Sequence, residues 1–470
     1  MKNSESSFQS GPQATKGVKT LLGNPKRAII RLSVPMIVAM SAHTLYSFVD
    51  GLWVAGLGPD ALSAVGFFFP FFFMIMAIST GLGTGGSAAV SRRIGAKDKS
   101  GADSVASHTM VLMLITSLVL ALPFFIFAPT IFAKMGAGPV AGMAGEYARI
   151  IFGATLIIFF GQVSSALLRG EGDVKRAMVV MMLGAGLNIV LDPLFIYGLK
   201  LGVAGAAWAT VVSICVSSGY LFICFFIKRD TYVDIKFRGF RFHKAILWDI
   251  LKVGIPATFQ QLTMSIAMLI LNLIAVKVGG TDGVAIFTTG WRVVMFATLP
   301  LLGMATAVVS VTGAAFGGRA YTKLNTGYMY AIRIGVVIEL VMAGLTFLLA
   351  PQIAWLFTLT QESIRIRADL INFLRVMCIF YPAVSPGMLS SAMFQGTGNG
   401  THSLVLTFTR TILLTTPLSY IMAVAMNLQL TGLWWGIVSG NSLGAIIAFT
   451  WGRLYVRGLL SAPALKLSEV

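Results

Sequence analysis

The chain has 470 residues, 56% of them hydrophobic and only 11% charged. Soluble domains carry about 25% charged residues, so a soluble enzyme or a soluble nucleic-acid binder is excluded. The formal net charge of +18 then belongs to basic loops that orient membrane spans, not to nucleic-acid affinity.

A polar stretch runs from Met1 to about Gly23. It lacks the apolar core of a secretory signal, so the first hydrophobic span is expected to be retained. A bilayer-spanning helix needs about 20 apolar residues. Such segments lie near 32–57, 64–90, 105–132, 145–168, 177–199 and 203–227. A second set lies near 250–278, 284–315, 326–350, 367–394, 402–428 and 432–456. The expected fold is an all-α membrane protein of twelve transmembrane helices. Its expected organisation is a polar terminus (1–25), a six-helix lobe (26–227), a basic linker (228–247), a second six-helix lobe (248–456) and a tail (457–470).

Loop charge is one-sided. Lys16, Lys19, Lys26, Arg27, Arg92, Arg93, Lys97, Lys99, Arg169, Lys175, Arg176, the linker bases, Arg319, Lys323, Arg453, Arg457 and Lys466 share one side. The other side holds Lys134, Arg149, Lys200, Lys277, Arg365 and Arg367. Both termini are therefore expected to be cytoplasmic in a multi-pass plasma-membrane protein. Cys215, Cys224 and Cys378 show no disulfide or zinc spacing. "GLGTGGSAAVS" lacks the Gly-Lys-Ser/Thr of a phosphate loop, so an ATP-driven pump is not expected and the glycines suit close helix packing.

The halves repeat. Pro35 in "RLSVPMIVAM" matches Pro256 in "LKVGIPATFQ", "LLRGEGDVKRA" matches "MFQGTGNGTHS", and "LGVAGAAWATVVS" matches "LTGLWWGIVSGNS". The offset stays at about 220–227 residues, and each half begins on the same side, so the internal repeat is parallel. Secondary transporters are commonly built this way, with the substrate between the halves.

Ionisable residues inside a membrane invite a functional hypothesis. Asp50, in "TLYSFVDGLW", is placed deep in the first span and Asp192, in "GLNIVLDPLF", inside the fifth. Asn188 precedes Asp192 by four residues and shares its helix face. Pro193 weakens the helix beside the acid, and Pro35 is expected to kink the first span. Thr210 adds an oxygen ligand in the sixth. In the repeat, Asp50 falls opposite Asn272 and Asp192 opposite Thr416, so only the first half carries the acids. Two chemistries fit the cluster. A desolvated carboxyl can take and release a proton, or two carboxylates with Asn and Thr oxygens can hold Na⁺. His43, Gln162 and Met181 are candidates to line a neighbouring cavity. The Phe67–Ala77 run offers either a greasy cavity wall or packed aromatics. Glu339 in the ninth span either faces a cavity or plays a snorkelling or paired structural role.

At these residues the sequence resembles the multidrug and toxic compound extrusion family, over about residues 25–456. The marks are Pro35, Asp50, the turn "GLGPDALSAVG", "RGEGD", Asn188 with Asp192–Pro193, and "GVAGAAWAT" ending at Thr210. The pattern is most similar to the branch related to DNA-damage-inducible protein F. The resemblance implies an H⁺- or Na⁺-driven antiporter without a cofactor. It would extrude small amphipathic, often cationic, organic compounds by alternating access, acting as a monomer in the lipid bilayer. Asp50, Asn188, Asp192 and Thr210 would be the ion-coupling residues and Pro35 and Pro193 the hinges. Another branch carries acids in the seventh and tenth spans, but "GIPATFQQLTMS" and "CIFYPAVSPGM" have none. Two other readings stand beside this one. A lipid-linked oligosaccharide flippase of the same superfamily should carry cavity bases, for which Arg292, Arg375 and Arg410 are the candidates. A non-transporting receptor or scaffold would have no use for the buried acids.

Overall fold

The computed structural model describes residues 15–360 and 363–461, and every regular element among them is a helix. The polar start before Thr15 and the tail beyond Ser461, Lys466 included, lie outside the described residues. A two-turn helix, Lys16–Leu22, precedes the spans. The first lobe contains α1 (Pro25–Ala55), α2 (Pro59–Gly95), α3 (Lys99–Lys134) and α4, which runs Ala141–Gly153 and Thr155–Gly170 with a 49° bend. It closes with α5 (Val174–Gly198) and α6 (Gly202–Lys228).

A single helical run of 74 residues follows, Lys244–Gly317, broken at Gly280, whose φ of 57° and ψ of −145° are not helical. At 1.5 Å per residue an unbroken run of that length would reach about 110 Å, far beyond a hydrocarbon core of about 30 Å. It is two spans, α7 (244–279) and α8 (281–317). Then come α9 (Tyr321–Phe357), α10 (Arg367–Gly396), α11 (Gly400–Ala425) and α12 (Gln429–Ser461). With α4 taken as one bent span and the long run as two, twelve spans are present among the described residues. They outrun the apolar segments read from sequence because the helices continue past the hydrocarbon into polar ends. For the same reason α7 begins at Lys244, inside the stretch expected to be linker.

The duplication is visible in the turns at the basic end. Four connections use one hydrogen-bond scheme that stops the helix with a left-handed residue. Asp98, Asp173, Ala320 and Asn399 donate their backbone N–H to the carbonyls of Arg93, Leu168, Ala315 and Phe394, each five residues back. The preceding residues, Lys97, Gly172, Arg319 and Gly398, all have positive φ. Asp98 and Asp173 then cap the next helix, accepting from Gly101 N–H at 2.8 Å and Arg176 N–H at 3.3 Å.

The lobes meet tightly at this end. A Cβ on Gly95 would strike the Ala314 carbonyl, one on Gly317 the Arg92 carbonyl, and one on Gly85 the Ile250 carbonyl. Arg92, buried, donates to the Gly396 carbonyl at 3.1 Å and to the Asp249 carboxylate at 2.9 Å, so it ties α2 to both α7 and α10. Toward the other end, Gly51 and Gly66 on the central helices α1 and α2 meet nothing within 4 Å. The molecule is a V, packed backbone to backbone at the basic end and splayed at the opposite end.

The non-helical segment 229–243 is stitched to the first lobe. Asp103, Ser107 and His108 on one face of α3 accept the N–H groups of Asp234 (2.8 Å), Lys236 (3.0 Å) and His243 (3.0 Å). Glu171, fully buried in the α4–α5 turn, accepts Val233 N–H at 3.1 Å. Burial pushes the Glu171 carboxyl up to about 8.

Two outcomes are expected. Gly317→Ala should cost about 1–3 kcal/mol by overpacking and lower the thermal midpoint in detergent, whereas Gly66→Ala, with open space, should not. Because the folded-state value for Glu171 lies above that of an exposed carboxyl, its stabilising contribution is fully present below the exposed value and fades as pH rises through about 8. Between pH 7 and 9 the protein should lose about 1 kcal/mol through this group. Glu171→Gln, which keeps a carbonyl acceptor for Val233, should flatten that part of the midpoint-against-pH curve, and superimposable curves would refute the assignment.

Candidate ion-coupling site

The polar cluster is built from four elements of the first lobe. On α1, His43, Tyr46 and Asp50 recur at three- and four-residue spacing and share a face. Asp50 lies five residues before α1 ends, about 8 Å from the helix end. It is therefore nearer the open end of the V than the deep position expected, because α1 starts well before the apolar segment and stops at Ala55. On α5, Asn188 and Asp192 are both buried, at 2% and 0% exposure. The α-helical part of α5 ends at Pro193, which has no N–H to continue the ladder, and a wider π turn, Leu194–Gly198, takes over. The Tyr197 hydroxyl donates to the Trp53 carbonyl at 2.7 Å and pins this turn to the end of α1. The α1 helix runs on through Pro35, which has no N–H to give to the ladder.

The four expected residues do come together. The Asp50 and Asp192 carboxyls are within hydrogen-bond reach of each other. Asn188 sits between Asp192 and Thr210. In the amide orientation that satisfies both ends, its nitrogen donates to Asp192 Oδ2 at 2.8 Å. Its oxygen then accepts from the Thr210 hydroxyl and N–H, each at 3.2 Å. Two tyrosines that the sequence reading did not single out complete the cluster. Tyr46 reaches the Thr210 hydroxyl, and Tyr147, from the first half of α4, lies near enough to both acids to feel their charge. Tyr46 had a visible signal, one helical turn before Asp50. Tyr147 had none, since only the bend of α4 brings it here.

A hydrogen bond between two carboxyl groups requires a proton on one of them, because an ionised carboxylate only accepts. One proton shared between Asp50 and Asp192, with Asn188 donating to the latter, would satisfy the pair.

His43, Gln162 and Met181 all line one cavity of about 130 Å³, together with Tyr46, Asn188 and Thr210. The acids are not in its walls. They sit behind Tyr46, Asn188 and Thr210, so the cavity reaches them through hydroxyl and amide groups. The Phe67–Ala77 run splits between its two expected roles. Phe68 and Phe71 pack edge-on against Tyr147, Phe152, Phe124 and Phe132. Phe72 and Met76 line the cavity.

The second lobe has no such cluster at the equivalent places. Asn272 donates to its own Met268 carbonyl at 3.1 Å, and Thr416 to Thr411 at 2.8 Å. Glu339 is neither snorkelling nor paired. It is fully buried, and both its oxygens lack a hydrogen-bond partner, as does the nearby Tyr381 hydroxyl.

Comparison with known proteins places this architecture. The MatE family profile matches residues 35–194 and again 256–421, one match in each half. The multidrug export protein MepA of Staphylococcus aureus is 26% identical over 425 residues, covering 90% of this chain and 92% of MepA. A solved outward-facing multidrug resistance MATE family transporter of the MOP superfamily is 50% identical, with a TM-score of 0.93, covering 95% of this chain and 99% of that one. A MOP superfamily transporter from Pyrococcus furiosus, described as having a binding pocket of reversed polarity that suggests a different function, is 49% identical with a TM-score of 0.92, covering 95% and 99%. Two family matches in register with the two lobes show that the chain belongs to the MatE family, and that it is a multi-pass membrane transporter and not an enzyme.

Proposed function

We propose that the protein is a proton-driven antiporter that exports small amphipathic organic compounds, many of them cationic, from the cytoplasm by alternating access. The carrying observation is the pair of acids Asp50 and Asp192 brought face to face from α1 and α5, with Asn188 beside Asp192. In the amide orientation that satisfies both ends, Asn188 turns its NH₂ toward Asp192, an arrangement compatible with a proton shared between carboxyls. A Na⁺ site needs oxygens converging on one point, and Asn188 would have to turn over to supply one.

The basic end carries the Lys- and Arg-rich loops, and the positive-inside rule assigns it to the cytoplasm. The V then opens outward. Proton binding from outside can drive the cycle only through a difference in proton affinity between the outward and inward states. The two acids straddle α1 and α5, whose ends are joined by Tyr197–Trp53, so a changed Asp50–Asp192 distance moves these helices together. On the other side of the pivot, Arg92 and the glycine contacts must open for the inward state. The multidrug activity in the names of MepA and the solved relatives supports this substrate class. A flippase for a pyrophosphate-linked lipid would want bases in its central cavity. Arg410 is instead packed inside the second lobe against Gly387 and Gly444.

In proteoliposomes loaded with ethidium, an inward proton gradient should drive efflux by wild type. Asp50→Asn and Asp192→Asn should each lower the rate at least tenfold while leaving the thermal midpoint nearly unchanged. Normal export by Asp192→Asn, or efflux driven by a Na⁺ gradient alone, would overturn the proposal. Arg92→Met should shift spin-label distances across the basic end toward longer values. Breaking one buried ion pair by removing a partner costs about 3–5 kcal/mol, enough to change which end is closed.

A further inference from the structure

A second cavity lies on the outer flank of the first lobe, away from the acids, between α3, α4 and α6. It encloses about 410 Å³ and is lined by Met113, Phe160, Cys215, Gly219, Phe222 and Phe237 among others. That volume is typical of small-ligand clefts (roughly 300–1,000 Å³). It offers a ligand no free polar group, since the one hydroxyl in its wall, Ser218, already donates to the Ile157 carbonyl at 3.3 Å. Its rim is exposed and apolar, with Leu114, Cys215 and Phe222 at the surface of helices that cross the bilayer. A row of rings, Phe160, Phe222, Phe226 and Phe237, runs along it toward the basic end. Phe226 and Phe237 stack there at 6.0 Å and 15°.

The charge at that end is unbalanced. Phe226 is followed by Lys228 and Arg229, and Phe237 is flanked by Lys236 and Arg238, all four exposed. The acids of the same segment are taken. Asp230 is held by Arg176 at 2.7 and 3.0 Å, and Asp234 faces Lys99 at 3.5 Å. Among the described residues none of the four bases has an acidic partner. The backbone that carries Lys236 and Arg238 is not free to drift, because Asp103, Ser107, His108 and Glu171 hold the segment against the first lobe. An apolar groove thus runs toward two pairs of bases without acidic partners, Lys228 and Arg229 at the end of α6 and Lys236 and Arg238 on either side of Phe237 in a backbone segment held to the first lobe.

We propose that this flank is a binding site for one anionic phospholipid. An acyl chain lies in the groove along the phenylalanine row, and the phosphate is held by Lys228, Arg229, Lys236 and Arg238. The occupant is a lipid and not a transported compound, because the groove has no polar group for a charged substrate, and its opening faces the bilayer and not the cleft between the lobes. Basic residues at a membrane surface favour anionic lipid additively. The groove adds the chain contact that a scattered basic surface lacks.

The test is native mass spectrometry of the full-length protein from micelles doped with equal amounts of dioleoyl-phosphatidylglycerol and dioleoyl-phosphatidylcholine. Wild type should retain one phosphatidylglycerol at least tenfold more often than phosphatidylcholine. Lys228→Gln with Arg238→Gln should reduce that preference roughly tenfold, whereas Arg457→Gln, a base remote from the groove, should leave it intact. A Cβ at Gly219 meets nothing within 4 Å, so Gly219→Phe can project into the groove without displacing backbone, and it should lower retention of both lipids. A smaller block, Cys215→Leu, should act in the same direction if Gly219→Phe fails to fold. Equal retention of the two lipids by wild type would overturn the proposal. So would unchanged retention in the groove-blocking variants, or loss of the preference in Arg457→Gln.

Discussion

The constraint on which this molecule turns is that a carboxyl group in a membrane interior must be paired, hydrogen-bonded or protonated. Asp50 and Asp192 stand where no lysine or arginine reaches them. In the proposed reading each depends on the other, and the pair depends on a proton. Asn188, Thr210, Tyr46 and Tyr147 do not neutralise the pair. They fix its geometry, and the first three stand between it and the small cavity beyond. Removing the proton leaves two like charges facing each other, which must separate or find a cation. Anything that moves α1 relative to α5 therefore changes the proton affinity, and by the same linkage protonation moves the helices.

That coupling is useful only if helix movement in the first lobe alters the whole V. The glycine contacts at the basic end are what hold the V closed there. Where Gly95, Gly317 and Gly85 face carbonyl oxygens of the other lobe, the backbones are as close as backbones can be, and there is no slack in which a small displacement could be lost. At the open end the same central helices carry glycines that touch nothing. The contrast makes the lobes two stiff arms held together at one side. Arg92, bonded to both Asp249 and Gly396, adds a directional bond to what would otherwise be shape complementarity alone.

Much of this could be read from the residues. The number of spans, the parallel repeat, the absence of the Asp50 and Asp192 acids from their matching positions in the second half, and the convergence of Asp50, Asn188, Asp192 and Thr210 all follow from apolar length, offset and helical spacing. His43, Gln162 and Met181 shared a cavity for the same reason. What escaped depended on geometry that spacing does not encode. Tyr147 enters the site only because α4 bends near Ala154. Pro35 leaves its helix unbroken, whereas Pro193 gives way to a π turn, and both look alike in sequence. Glu171 was visible only as part of a turn motif. Its burial under the linker requires knowing that residues 229–243 fold back on α3. Glu339 could be read as facing a cavity or as snorkelling or paired, yet among the described residues it is enclosed without a hydrogen-bond partner.

The most direct test of the central claim is to count protons. Purified protein in weakly buffered detergent, near neutral pH, would be mixed with a saturating cationic substrate while a pH-sensitive dye reports proton release. The account predicts release of about one proton per protein, absent in both Asp50→Asn and Asp192→Asn although the substrate still binds. Substrate binding without proton release in the wild type, or release that persists in both variants, would contradict it.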